Sequence, residues 1–378
     1  MFSKRMRLFE LLGFTVYIDL SWIFIALLIV WSLATGLFPS LAEGLTPRTY
    51  WAMGVVGAVG LFASIIFHEF SHSLVARRYD IPIRGITLFI FGGVAEMTDE
   101  PHEPQAEFYM AIAGPLASLF LAGCFLLLTA LTEAAGLPVT MVAVLQYLGW
   151  VNAILAVFNM VPAFPLDGGR VLRAALWKRT GNLQEATKRA ANTGAQFGLG
   201  FMILGAYFFI TGNIIGGIWW FLIGIFMRTA SAASYQQVLI RNVLEGEPVS
   251  RFMKTEPICV SPQTTVRQMV EDYFYRYHHK LFPVLADGRL IGQVTVADMK
   301  RVNPAEWDKV TMAEILEPPS PANTIGTGED AMQALARMNR DNRSRLMVVT
   351  PARELAGILT LKDLMELFQL KVDLDPEL

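Results

Sequence analysis

Residues 64–78 read SIIFHEFSHSLVARR, and His68-Glu69-Phe70-Ser71-His72 sets two histidines four positions apart. On a helix, positions i and i+4 share a face, so both imidazoles can reach one ion. Glu69, beside the first histidine, is placed to hold and deprotonate a water that such an ion activates. Zinc suits imidazole ligands and is commonly four-coordinate. Two histidines therefore leave the ion short of a protein ligand, which the rest of the chain should supply.

The setting strengthens that reading. Arg77 and Arg78 close the apolar run, and His68 lies nine residues before Arg77. At 1.5 Å per residue that is about 13 Å inside the run. Polar groups at such depth are costly unless they face a cavity and have partners. The chain has 378 residues, 53% hydrophobic and only 17% charged, with mean hydropathy +0.42. Ordinary soluble domains carry about 25% charged residues. The apolar runs are confined to residues 14–240, whereas 241–378 has a soluble composition. The fold expected is a polytopic α-helical membrane domain over 1–240, a linker at 241–247, and a cytoplasmic α/β module in two parts, 248–306 and 311–370.

Six runs are long enough to cross about 30 Å of hydrocarbon: 19–38, 51–76, 106–131, 141–161, 194–212 and 214–234. Lys and Arg fall almost wholly on one side of this arrangement, including Arg77, Arg78, Arg170, Arg173, Lys178, Arg179 and Arg241. The other side receives Arg48. The positive side faces the cytoplasm, so both termini are expected there in a multi-pass protein of the plasma membrane. Two further stretches, 14–22 (FTVYIDLSW) and 83–97 (IRGITLFIFGGVAEM), are β-like. Open strands cannot face lipid, so these must pack on each other or line a wet cavity. The N-terminal MFSKRMRLFELLG lacks the short apolar core and cleavage site of a signal peptide and is read as retained.

The missing ligand has a candidate in residues 159–170, NMVPAFPLDGGR. Pro162 and Pro165 break the fourth run, and Gly168-Gly169 allow a tight turn, which holds Asp167 on irregular backbone at membrane depth. Asp167 also suits the cap of a following helix, and the two roles are compatible.

HEFSH together with NMVPAFPLDGG, on two separate spans, resembles the site-2 proteases, intramembrane zinc metalloproteases whose pattern is HExxH with a later NxxPxxPxDG. FGGVAEM (91–97) and AIAGPLAS (111–118) extend the similarity over roughly residues 8–190. The resemblance implies that His68, His72 and Asp167 bind one zinc ion and that Glu69 activates water. Asn159 would position substrate or stabilise the oxyanion. Gly92, Gly93 and Asn152 would contact substrate. The substrate would be a transmembrane segment of another membrane protein, locally unwound and added as a strand near 83–97.

The tail contains a repeat. LFPVLADGRLIGQVTVADMKRV aligns with LMVVTPARELAGILTLKDLMEL, so that Gly292, Thr295 and Asp298 match Gly357, Thr360 and Asp363 at an offset of 357 − 292 = 65 residues. Each unit reads as strand, helix, strand, strand, helix. The pair resembles cystathionine-β-synthase (CBS) domains. That resemblance implies an adenine nucleotide held by Thr295, Asp298, Thr360 and Asp363, and a homodimer through the module. Thr or Asp before a helix is also an ordinary cap. His278 and His279 read as surface residues without a metal.

The net charge of −2 and the lack of a basic tract give no indication of nucleic acid, and Cys124 and Cys259 form neither a disulfide framework nor a CxxC clip. A CBS-gated transporter or channel is the rival reading, since polar groups in spans also suit a pathway. Against it, the polar residues cluster in one place, with Asp19 as the only other acid at comparable depth, and the membrane half shows no internal repeat.

Overall fold

The computed structural model describes residues 5–89, 92–97 and 101–374. It divides into two compact units, Met1–Gln236 and Gln237–Leu378.

The first unit holds six helices long and apolar enough to cross a membrane. They are α1 (Leu20–Leu41), α2 (Pro47–Arg78), α3 (Pro104–Ala134), α4 (Val139–Asn159), α6 (Leu183–Ile210) and α7 (Ile214–Leu244), the last continuing into the second unit. The shorter α5 (Asp167–Thr180) lies between α4 and α6. Helix α2 shows why the ends fall where they do. The Thr46 hydroxyl accepts from the Thr49 N–H, Pro47 needs no donor partner in the first turn, and Arg77 and Arg78 oppose the dipole at the last. Each expected span has its helix. α6 starts at Leu183 rather than 194, because Asn182 caps it (Oδ1 to Glu185 N, 3.1 Å) and the polar turns before Gly194 are helical as well.

The β-like stretch 14–22 is a strand only to Asp19, since α1 takes Leu20–Trp22, the described residues of 83–97 form two strands, and the N-terminal residues add one that their composition did not announce. β1 (Arg5–Leu11) pairs antiparallel with β2 (Phe14–Asp19). β2 pairs parallel with β3 (Ile83–Phe89), and β3 pairs antiparallel with β4 (Gly92–Met97). The order is β1-β2-β3-β4. β3 is therefore internal, and of the 83–97 stretch only β4 offers an edge. Phe14, Val16 and Ile86 bury one face of the sheet against Phe70 of α2, with the Phe14 and Phe70 rings edge to face at 5.5 Å. This seats the sheet against the helix that carries the two histidines.

In the second unit each repeat builds its own core, with strands crossing the boundaries drawn from sequence. β5 (Leu281–Ala286) and β6 (Arg289–Thr295) are antiparallel, and Val260 bridges Val284. β7 (Thr324–Gly326), β8 (Arg345–Val349) and β9 (Leu355–Thr360) form the second sheet. Met312, assigned by sequence to the second repeat, is buried among Val266, Phe282 and Val294 of the first. Val249 and Phe252, assigned to the first, are buried with Leu346, Leu359 and Leu364 of the second. The linker expected at 241–247 is helical to Leu244, and Val243 and Leu244 belong to that same second core. The two repeated glycines are the crossing points. A Cβ on Gly292 would meet Glu317 O at 2.7 Å, and one on Gly357 would meet Lys254 O at 2.5 Å. The bridges Gln293–Glu317 and Lys254–Ile358 run through these places.

Small residues set the α6–α7 hairpin. A Cβ on Gly198 would meet Gly224 O at 2.7 Å, and one on Gly205 would meet Gly217 O at 2.7 Å. Two glycine pairs seven residues apart on each helix thus let the backbones touch, as membrane helices favour in the absence of a hydrophobic drive between them. Gly205→Leu is expected to lower the thermal unfolding midpoint of the detergent-solubilised protein, whereas Gly200→Leu, whose Cβ meets nothing within 4 Å, leaves it within a degree or two. Circular dichroism melts of both variants provide the check.

Candidate metal centre

His68 and His72 project from the same face of α2 and are buried at 4% and 5% exposure. Asp167 reaches them from the first turn of α5. The glycines after it permit this approach: a Cβ on Gly168 would lie 2.4 Å from Met160 O and Val161 O, and one on Gly169 would lie 2.5 Å from Phe164 N. The loop 160–166 can therefore fold directly onto the start of α5. It is pinned from above by α7, where the Ser231 hydroxyl donates to Phe164 O at 2.8 Å. Asp167 is not a side-chain cap: Leu166 holds the cap position and makes no such bond.

The three side chains converge on one point. His68 Nε2 is 3.1 Å from Asp167 Oδ2 and 3.1 Å from His72 Nε2, and His72 Nε2 is 3.2 Å from Asp167 Oδ2. His72 Nδ1 lies 2.6 Å from Met110 O, which can only accept, so that ring carries its proton on Nδ1 and presents a bare lone pair at Nε2. As a carboxylate, Asp167 can only accept at Oδ2. His68 Nδ1 bonds Ser118 Oγ at 2.9 Å. With both rings neutral, as a metal ligand requires, at most one proton, on His68 Nε2, is available to three atoms that crowd together, whereas a divalent cation satisfies all three. Their separations also fit: zinc bonds of 2.0–2.1 Å at tetrahedral angles put ligand atoms roughly 3.3 Å apart. Among the described residues this is the one group of three or more such side chains able to hold an ion.

Three residues that sequence reasoning passed over make the geometry possible. Gly114 of α3 faces the imidazoles, and a Cβ there would fall 2.2 Å from His72 Nε2 and 2.6 Å from His68 Nε2. Ser118 and the Met110 carbonyl, one turn to either side on the same helix, orient the two rings, the usual outer-shell device of metal sites. The clue was present in AIAGPLAS, where Gly114 is followed by Ser118 four residues on, but its meaning depends on which helix lies opposite. Glu107, one turn before Met110, is a further acid in the membrane unit, and unlike the part-exposed Asp19 it is fully buried and ion-paired with Arg173, whose Nε donates to Glu107 Oε1 at 2.6 Å. Its place in the polar flank DEPHEPQAE hides it.

A cavity of about 500 Å³ opens over the cluster, lined by His68, Glu69, His72, Asn159, Asp167 and Arg170 among apolar side chains. Gly93 of β4 also lines it, and a Cβ there would lie 2.6 Å from Glu69 Cγ, so the edge strand runs directly over Glu69. Gly92 pairs with Phe89 at the start of β4. Asn152 is not brought to the cavity. It is fully buried, and its amide donates to Ser64 Oγ (3.0 Å) and Leu148 O (2.8 Å), tying α4 to α2 one turn before His68.

In the tail, Thr295 N–H and Oγ donate to Asp298 Oδ2 (2.9 and 2.6 Å), and Thr360 N–H and Oγ donate to Asp363 Oδ2 (3.0 and 2.6 Å). Both aspartates thus cap their own helix. Thr360 and Asp363 line a cleft of about 550 Å³ with Lys254, His278, His279 and Arg345. Lys254 Nζ sits 3.1 Å from Asp363 Oδ1, and that carboxylate draws the lysine's proton affinity up.

Gly114→Ala would push a methyl into both imidazoles. It is expected to lower bound metal per chain severalfold, while Gly123→Ala on the same helix, which meets nothing within 4 Å, leaves it unchanged. Elemental analysis of the two purified variants decides.

Comparison with known proteins places the chain in a family. The family model described as Peptidase family M50 matches residues 56–138 and 132–205, and the CBS domain model matches 249–304 and 313–370. The Synechocystis protein named "Putative zinc metalloprotease sll0528" is 32% identical over 94% of this chain and 93% of its own. Zinc metalloprotease MJ0392 of Methanocaldococcus jannaschii is 28% identical over 98% of this chain and 99% of its own. The solved site-2 protease from the same archaeon is 29% identical, with a TM-score of 0.43 over 61% of this chain and 95% of that one. The protein belongs to peptidase family M50, the site-2 proteases, and is a multi-pass membrane metallopeptidase carrying a tandem CBS module.

Proposed function

We propose that the protein is an intramembrane endopeptidase that cuts transmembrane segments of other membrane proteins. The observation that carries this is the convergence of His68 Nε2, His72 Nε2 and Asp167 Oδ2 within 3.2 Å of one another beneath an otherwise largely apolar cavity. These three residues would hold one zinc ion, whose Lewis acidity polarises a scissile carbonyl and lowers the pKa of a water to about 7. Glu69, on the cavity wall, takes the proton from the attacking water and passes it to the leaving amine. Asn159, also on the wall, supplies an amide to the substrate carbonyl. A helical substrate has its carbonyls occupied by its own hydrogen bonds, so it has to unwind before attack. The edge of β4, running past Glu69 at Gly93, is suited to take the unwound segment as an added strand.

The charge bias of the loops favours a cytoplasmic position for both termini and the CBS pair, with the protein in the plasma membrane. The cleft at Thr360 and Asp363 suits an adenine nucleotide, the aspartate meeting ribose hydroxyls and Lys254 and Arg345 the phosphates. We read the pair as a regulatory sensor and as the contact through which two copies associate.

Zinc per chain, by element-specific mass spectrometry on purified protein, tests the first reading. Wild type is expected to hold about one ion, His68→Ala and Asp167→Ala to lose it, and Glu69→Gln to keep it. Retention by Asp167→Ala would remove the physical basis of the assignment. For the tail, isothermal titration with AMP and ATP should show binding that Asp363→Ala weakens at least tenfold. Unchanged affinity in that variant would place the nucleotide elsewhere.

A further inference from the structure

The hairpin of β1 and β2 carries apolar side chains that the rest of the chain does not cover. Its turn is Leu12-Gly13, between the paired Leu11 and Phe14, and both turn residues have positive φ (51° and 84°). A two-residue hairpin turn of this kind is usually filled by Asn, Asp or Gly. A leucine held there costs free energy, and Leu12 is 59% exposed, so packing within the chain does not offset the cost. Directly paired residues point to the same side of a sheet. Met6 pairs with Ile18, Phe9 with Val16 and Leu11 with Phe14, which makes one apolar face, while Arg7 pairs with Tyr17 and Glu10 with Thr15 on the other. On β2 the apolar face is buried, with Phe14 and Val16 packed against Phe70 of α2. On β1 the same face is exposed at Met6, Phe9 and Leu11. β1 therefore carries the apolar face of the sheet beyond the helix that covers it. On the opposite face, Arg7 and Glu10 are exposed and pair with each other at 2.6 Å.

What covers that face follows from where the hairpin is tied. β2 runs directly into α1 at Leu20, and Leu12 O accepts from Arg77 Nη1 at 2.9 Å, in the last turn of α2. The hairpin is thus fixed to the ends of two membrane-crossing helices, the level at which hydrocarbon gives way to headgroups. Leu20, Phe24 and Leu27 share a face of α1 and are exposed, as a surface against lipid should be. No described residue pairs with the outer edge of β1. Such an edge cannot lie in hydrocarbon, but at headgroup depth water satisfies it. We propose that the β1–β2 hairpin is an interfacial anchor. It lies along the membrane surface with Met6, Phe9, Leu11 and Leu12 sunk into the headgroup–acyl boundary of a phospholipid leaflet and with Arg7 and Glu10 turned to water, as amphipathic surface helices do with their two faces. The proposal needs the six helices to be embedded and is independent of the peptidase reading. Because β1 to β4 form one sheet, the depth at which the hairpin rests also sets the depth at which β4 passes Glu69.

The test uses the full-length protein in phosphatidylcholine nanodiscs, with Cys124→Ala and Cys259→Ala removing the native thiols. A nitroxide is attached to one cysteine at a time: Met6→Cys and Leu11→Cys on the apolar face, Glu10→Cys on the polar face, and Phe120→Cys, exposed near the middle of α3, as a reference in lipid. Power-saturation electron paramagnetic resonance compares collisions with oxygen, which concentrates in lipid, and with a nickel chelate, which stays in water. The oxygen-to-nickel ratio is expected to be about threefold higher at Met6→Cys and Leu11→Cys than at Glu10→Cys, and highest at Phe120→Cys. All four positions are exposed, so circular dichroism melts should match the parent, and the two apolar-face labels report independently. Equal ratios on the two faces of the hairpin would place both in water and overturn the proposal. Shielding of both apolar-face labels from oxygen and nickel alike would also overturn it, since protein, such as a second copy of the chain, would then cover the face. A water-like ratio at Phe120→Cys would instead contradict the embedding of the helices, so the two failures are distinguishable.

Discussion

Two imidazoles and a carboxylate held at 3.1–3.2 Å from one another constrain everything around them. Left without a cation, three such atoms between neutral rings and a carboxylate share at most one proton. The chain accepts the arrangement because each side chain is immobilised from behind. Ser118 and the Met110 carbonyl hold the rings, while the Gly168-Gly169 approach and the bond from Ser231 to Phe164 hold the loop that delivers Asp167. Gly114 leaves the space in which the three atoms meet. The centre is thus assembled from α2, α3 and α5, with α7 as an outer support.

The placement of the sheet follows from the same need. Strands at membrane depth must satisfy their backbone groups inside the protein. The two inner strands, β2 and β3, do so by pairing on both sides and by burying Phe14, Val16 and Ile86 against α2. This packing brings β4 alongside Glu69, so a site for chemistry and a strand edge that no described residue pairs with become neighbours. A peptide that must lose its helical hydrogen bonds before it can be cut would find replacement partners where the cut is made.

The soluble unit shows how a repeat can be plain in sequence while its domains are not. Gly292/Gly357, Thr295/Thr360 and Asp298/Asp363 align without ambiguity, and the capping bonds of the two threonine–aspartate pairs are nearly superimposable in length. The segments entering the two cores come from across the boundary, through bridges at Gln293–Glu317 and Lys254–Ile358. Such exchange is invisible to composition, because Val249 and Met312 are apolar whichever core receives them.

Local spacing was enough to foresee the six apolar helices, the β character of 14–19 and 83–97 and the i, i+4 histidines with their adjacent glutamate, and to mark Asp167 as a candidate partner. Each of these depends on periodicity, run length or backbone permissiveness, all of which are properties of neighbouring residues. The roles of Gly114, Ser118 and Glu107 arise only when α3 and α5 meet α2, and Asn152, polar and on a plausible face, turns instead to Ser64. A side chain's function at such a site is set by what lies opposite it, across as many as 99 residues of chain between His68 and Asp167. That distance is closed by tertiary packing, to which no local pattern has access.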